Sequence, residues 1–442
     1  MSSSPAPHGA HASAVPALVV RTAALDSDLP LLDYLPAGPP DSLVSWVRRG
    51  EGLIGWGAVL RFRAGGPARF AAAEDWWQAV AARAVVRDEI GLPGSGLLCF
   101  GSFPFADDSS EIGHLIVPST IVGRRDGRTW RTSITLDPQL SPMEVPAGGA
   151  QPAPPVDVAF SDGSVSPSDY AHAVGRAVSR IAAGELDKVV LARDLVATSS
   201  APIDSRWLLG RLAERYHNTW VFSVAGLLGA TPELLVRRDQ GLVSSRVLAG
   251  TIRRSGDDAK DLALAASLAR SSKDLEEHEY AVRSVAEALA PHCSSMNVPE
   301  APFVLHLPNV MHLATDVVAV AADDASSLSL AAALHPSAAV GGTPNAIAQQ
   351  VIADLEAMDR GRYAGPVGWM DGRGDGSWGI ALRCGVFARD DPGHVRLYAG
   401  CGIVAGSDPE SELAESAAKL VPMRDALMGT SDNLTPDAPR VS

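Results

Sequence analysis

Residues 144–157 (EVPAGGAQPAPPVD) hold four prolines and two glycines. Proline fixes φ and withholds a donor, and glycine loses more entropy than any other residue on ordering. Neither a helix nor a central strand suits such a stretch. It reads as a linker or a long surface loop, and it is the best boundary candidate in the chain. Before it, residues 17–157 carry strand-like runs separated by turn signals, among them 18–21, 53–62 and 115–117. One helical stretch there, 74–90, puts Trp76, Trp77, Val80 and Ala84 on one face. After it, residues 158–428 alternate helices and strands without a repeat period. Residues 1–16, rich in Ser, Ala, Pro and His, read as a disordered leader, and the polar 429–442 as a flexible tail.

The second part opens on a well-marked helix. Ser166-Pro167-Ser168-Asp169 supplies a cap, a proline for the first helical position and a first-turn acid. Tyr170, Val174, Ala177, Val178 and Ile181 follow at helical spacing, and Gly184 is a plausible stop. Residues 188–197 (KVVLARDLVA) then read as a strand.

Charge and cysteine usage narrow the function. With a net charge of −14 and no basic stripe, repulsion from nucleic-acid phosphates is expected. It also makes an anionic substrate awkward unless local cations, or a bound metal, offset the field. None of Cys99, Cys293, Cys384 and Cys401 sits in a CxxC pair, so free thiols in a reducing compartment are expected. No apolar run approaches the roughly 18 residues of a spanning helix, and no basic-then-apolar leader opens the chain. A cytoplasmic protein without membrane or nucleic-acid partners is expected. The acceptor-like Asn433-Leu434-Thr435 is then coincidence.

Four motifs carry chemistry, each with a plainer alternative. In Lys188-Val189-Val190-Leu191-Ala192-Arg193, Lys188 is either a solvated edge charge or a desolvated lysine usable as a general base. In Gly229-Ala230-Thr231-Pro232-Glu233, Glu233 is either a helix-start acid or a carboxyl kept protonated by apolar neighbours, able to donate to a leaving group. Ser271–His278 is dense charge at a helix start; a solvated face is the default, but Glu277 shares a face with Tyr280 and Ala281 and can point inward as a metal ligand. Glu412 and Glu415 lie three apart after a glycine run, Ala399-Gly400-Cys401-Gly402-Ile403. On a helix they face one way and suit a hard divalent cation, or they are surface acids favoured near a helix N-terminus. The glycine run follows a strand-like 395–399 and precedes a helix. Yet only 36 residues follow Gly406, with no second strand ending in an acid, so a dinucleotide-binding unit is excluded.

These motifs, in this order, resemble those of the chorismate-utilising enzymes. Leu248-Ala249-Gly250-Thr251-Ile252-Arg253, His312-Leu313-Ala314-Thr315, His335-Pro336-Ser337-Ala338-Ala339-Val340-Gly341-Gly342-Thr343-Pro344 and Asp359-Arg360-Gly361-Arg362-Tyr363-Ala364-Gly365 fit too. The match is strong over about 158–426 and weaker before it. It implies one α+β domain with two large, mainly antiparallel sheets stacked together, helices outside and the site in a deep cleft. The proline-rich segment would then be a loop within that domain.

The resemblance also implies roles. Lys188 matches the base that activates water for attack at C2 of chorismate, and Glu233 the acid that protonates the departing C4 hydroxyl. Glu277 and Glu415 match Mg²⁺ ligands, with Glu412 holding metal-bound water. Tyr363, Arg383 and the Gly400 and Gly402 amides match positions that bind the enolpyruvyl carboxylate. Gly250, Thr251, His312, Ala339 and Val340 match other cleft positions. Relatives that use ammonia usually have glutamine at the position of Lys188, and salicylate-forming ones a threonine at Ala339. Conversion of chorismate to isochorismate is therefore expected, with Mg²⁺ as cofactor and a monomer as the assembly. Salicylate formation, or an amine-forming subunit working with a glutaminase, are the alternatives. Cys401 and Asp274 depart from the usual alanine and glutamate.

Overall fold

The computed structural model describes residues 16–137 and 151–429. Almost all of the predicted leader, the tail beyond 429 with Asn433, and the first half of the proline-rich segment lie outside the described residues.

The described chain builds two large sheets, of thirteen and ten strands. Pairing is antiparallel throughout except where Val19–Ala24 runs parallel to Val85–Asp88. Strands from before and after the proline-rich segment share both sheets. Ser45–Val47 pairs with Val221–Ser223 in the first, and Leu98–Ser102 with Val367–Asp371 in the second. The far end of the proline-rich segment is tied down as well: Val156 exchanges hydrogen bonds with the Ser199 hydroxyl. Trp130, Trp378, Phe100, Phe103 and Phe222 are fully buried in the core. Burial of each such ring contributes about 1.5–3 kcal/mol.

Local signals explain several elements. Helix Pro167–Ala182 starts where Ser166 Oγ accepts from Asp169 N at 3.1 Å, and it buries the predicted Tyr170, Val174, Ala177 and Ile181. Strand Lys188–Thr198 is buried over its first seven residues, as expected of a central strand covered on both faces.

Three expectations need correction. The first helix is Arg69–Ala81, not 74–90, because Val85–Asp88 finds a strand partner in Val19–Thr22 and the chain turns before it. Trp77 and Val80 are buried as expected, and Trp76 is half-buried. The apolar run 53–62 is two strands in different sheets, Glu51–Trp56 and Leu60–Ala64. They part at Gly57, where φ is +67° and an added Cβ would fall 2.2 Å from Ser119 Oγ. The strand before the last helix does not stop at Ala399. It continues through the glycines as Asp391–Ile403, and the helix is Pro409–Met428.

Candidate active site

Strand Lys188–Thr198 lies beside Asp391–Ile403, with Val190 opposite Gly402 and Ala192 opposite Gly400. Alternation along Asp391–Ile403 puts Tyr398, Gly400 and Gly402 on one face. That face, with Lys188, forms one wall of a cleft. Lys188 is 2% exposed, which excludes a solvated edge charge. Its Nζ lies 2.7 Å from Glu277 Oε1. The pair needs a glycine on the neighbouring strand: a Cβ on Gly402 would come within 2.8 Å of Glu277 Oε1 and 2.9 Å of Lys188 Cε.

Glu233 stands where the chain passes from the first sheet, Leu227–Thr231, to the second, Leu234–Asp239. It therefore starts no helix. The crossing is pinned by Glu233 N donating to Thr231 Oγ1 and Ile380 N donating to Glu233 O, each at 3.2 Å. Burial pushes its carboxyl up to about 8, against the pull of Lys188, Lys419 and Arg383. At neutral pH it is protonated and can donate.

A bulge shapes the next wall. In strand Leu242–Arg253 the register against Val310–Ala321 shifts between Ala249 and Thr251, and Gly250 takes φ +75° there. Thr251 is thereby set opposite His312, with Oγ1 3.1 Å from Nδ1. Arg383 Nη2 lies 3.3 Å from His312 Nε2. Arginine only donates, so Nε2 accepts and Nδ1 carries the proton. Burial, with Arg383 next to it, holds His312 well below its ordinary range and hence neutral. Arg383 itself has φ +50°, an uncommon backbone for arginine, and its buried Nη1 has no hydrogen-bond partner among the described residues. An orphaned guanidinium nitrogen lining a cleft suits a substrate carboxylate. Beside it Tyr363 stacks on Tyr398, with centroids 5.2 Å apart.

Ala339 and Val340 border the cleft in a turn held by Arg360, which donates to the Val340 and Val190 carbonyls at 2.9 and 2.7 Å and pairs with buried Glu356. Glu412 and Glu415 come from the first turns of helix Pro409–Met428, capped by Asp408 accepting from Ser411 N at 2.9 Å. The ligand atoms of Cys401, Glu412 and Glu415 all lie within 4.8 Å of one another. Burial pushes the Cys401 thiol up, so it stays neutral and offers a hard cation little. The two carboxylates fit a divalent ion with oxygen ligands. Glu277 is not in that group; Lys188 holds it instead.

All fourteen residues singled out from the sequence line this one cleft. Sequence reading missed Lys419 and Tyr398, which line it too. Lys419 Nζ binds Glu415 Oε1 at 2.7 Å and Gly400 O at 2.9 Å. Its signal was the Glu-to-Lys spacing of four on a helix; that of Tyr398 was its alternation with Gly400 and Gly402.

A base candidate, a protonated acid, paired carboxylates and a guanidinium with one free nitrogen among the described residues, all around one cavity, equip a protein for proton transfer on an anionic ligand. The chain belongs to the chorismate-binding enzyme family, whose sequence model (Chorismate binding enzyme) matches residues 40–428. It is 38% identical to the isochorismate synthase DhbC of Bacillus subtilis over 75% of this chain and 80% of that protein. To the isochorismate synthase EntC of Escherichia coli it is 40% identical over 57% and 64%. The crystal structure of DhbC from Bacillus anthracis superposes with a TM-score of 0.74 at 32% identity, covering 90% of this chain and 99% of that one. That of the menaquinone-specific isochorismate synthase MenF from E. coli gives 0.74 at 24% identity, with 94% and 95% covered, a likeness of fold.

Proposed function

We propose that the chain is an isochorismate synthase, interconverting chorismate and isochorismate by adding water at C2 and releasing the C4 hydroxyl. The observation that carries this reading is the meeting of buried Lys188 and protonated Glu233 at one cleft, on strands of different sheets or their junction. The relatives named isochorismate synthases support it.

Water is a poor nucleophile and hydroxide a poor leaving group, so two proton transfers carry the reaction. In its neutral form Lys188 takes a proton from the attacking water, oriented by Glu277 Oε1 2.7 Å away. Glu233 gives its proton to the departing C4 oxygen, which leaves as water. Arg383 and Tyr363 hold the enolpyruvyl carboxylate, and the glycines at 400 and 402 leave room for it. Glu412 and Glu415, with Glu277 as a third carboxylate of the cleft, would hold Mg²⁺. When bound, the ion supplies positive charge that offsets the ring carboxylate in this acidic protein.

Incubating the pure protein with chorismate and Mg²⁺ and resolving the products by chromatography tests the reading. Isochorismate is expected. Salicylate with pyruvate, or an amine formed only with ammonia, overturns it.

A further inference from the structure

A second cavity, of about 1070 Å³, shares Tyr398 with the candidate catalytic cleft. Edge strand Leu60–Ala64 pairs with Gly113–Val117 so that Arg63 stands directly opposite His114. Alternation puts Arg61 on the same face as Arg63. Arg362 and Arg389 reach the same cavity from the far end of the chain.

The charges of this cavity are out of balance. Among its other charged residues, Arg396 is committed to Asp194 at 2.6 Å, Asp204 to Arg206 at 2.6 Å and Asp391 to His394 at 2.7 Å. Arg362 gives Nη1 to Ser102 Oγ at 2.9 Å and the Val224 carbonyl at 3.0 Å, and Nη2 to the Ala225 carbonyl at 2.9 Å. That leaves Arg61, Arg63 and Arg389 facing only Asp41 and Glu111. Three guanidiniums at one cavity in a chain of net charge −14 make a local field that favours an anion. Their field is felt locally. Burial first, then Arg362, Arg63, Arg61 and Arg389, hold His114 down at about 3. His114 Nδ1 and Arg362 Nε are buried and have no hydrogen-bond partner among the described residues, although both side chains line the cavity. The remaining wall is apolar, with Ile203, Val386 and Phe387. A few convergent polar groups on an apolar wall is the composition of a small-molecule site.

We propose that this cavity is a second binding site, for an organic anion whose acid group meets Arg61, Arg63 and Arg389 and whose apolar body rests on Ile203, Val386 and Phe387. Carboxylate and phosphate esters share the required chemistry. The site stands whether or not the catalytic reading does, because none of these residues serves the acid–base scheme.

Titration with anilinonaphthalene sulfonate, followed by fluorescence at matched ionic strength, tests it. The wild type should show one saturable site, from which inorganic phosphate and succinate are tried as competitors; displacement by one of them alone tells which acid group is preferred. The double variant Arg63→Gln, Arg389→Gln should bind at least tenfold more weakly, while Arg383→Gln binds as the wild type. Equal affinity in the double variant overturns the proposal, as does loss of binding in Arg383→Gln, which would put the dye in the catalytic cleft. Should the double variant melt early, Arg61→Gln, on the exposed edge strand, replaces it, and an unchanged affinity there overturns the proposal equally.

Discussion

Lys188 and Glu277 form a buried ion pair, 2.7 Å apart, on the wall of the cleft, and only the missing side chain at Gly402 leaves space for it. The amine is thus desolvated and oriented by the carboxylate. Lys188→Ala should lower kcat at least about 100-fold, the ordinary contribution of a positioned general base. Product formation followed by chromatography measures this, with circular dichroism to show that the variant folds. A wild-type rate would remove Lys188 from the scheme.

Gly402→Ala is predicted to act through the same pair. The new methyl forces Lys188 and Glu277 apart by a fraction of an ångström to an ångström, a displacement able to cost about 100-fold in rate. The alanine should impair turnover far more than melting temperature. Normal turnover would show that the pair tolerates being moved.

Glu233 gives the pH dependence a definite sign. Its carboxyl titrates at about 8 in the fold against an ordinary value of 4.5. The proton it must donate is present below about 8 and lost above, so kcat/KM should fall on the alkaline side with a midpoint near there. The same shift bears on stability. A carboxyl raised on folding favours the native state fully below 4.5, and that contribution is lost as pH rises towards about 8. Glu233→Gln should abolish turnover and flatten the stability profile between those values. An alkaline limb that survives in a still-active Glu233→Gln would assign the titration elsewhere.

The paired carboxylates predict a divalent-ion requirement. Chelation with EDTA should stop turnover and added Mg²⁺ restore it. Glu412→Gln and Glu415→Gln should each raise the Mg²⁺ needed for half-maximal rate by at least roughly tenfold. Calorimetric titration of Mg²⁺ gives the same ranking without turnover. Full activity in chelator would discard the metal.

Much of the cleft was legible because its residues occupy short, ordered motifs whose chemistry is local. A lysine opening an apolar strand, a glutamate after Thr-Pro and two acids three apart on a helix each announce themselves. What the sequence could not carry was which elements meet. The pattern around Thr231-Pro232-Glu233 fits a helix start as well as a passage between sheets, because both need an extended residue before proline. The apolar run 53–62 does not show that Gly57 hands the chain to the other sheet. Arg63 and His114 are far apart in sequence, and only the register of two strands brings them face to face. The pairing of Glu277 with Lys188 likewise depends on a helix packing against a distant strand.

Among the described residues, every one that lines the candidate cleft lies beyond the proline-rich segment, yet the sheets that hold them are completed by strands such as Leu43–Arg48 and Leu98–Ser102 from before it. A protein trimmed to 158–428 would bare unpaired ladder groups along Val221–Ser223 and Val367–Asp371, open seams inviting aggregation. The chemistry is consequently not a portable cassette. Grafting or recombination that cuts at the prolines would carry away all the reactive groups and leave behind the frame that aims them.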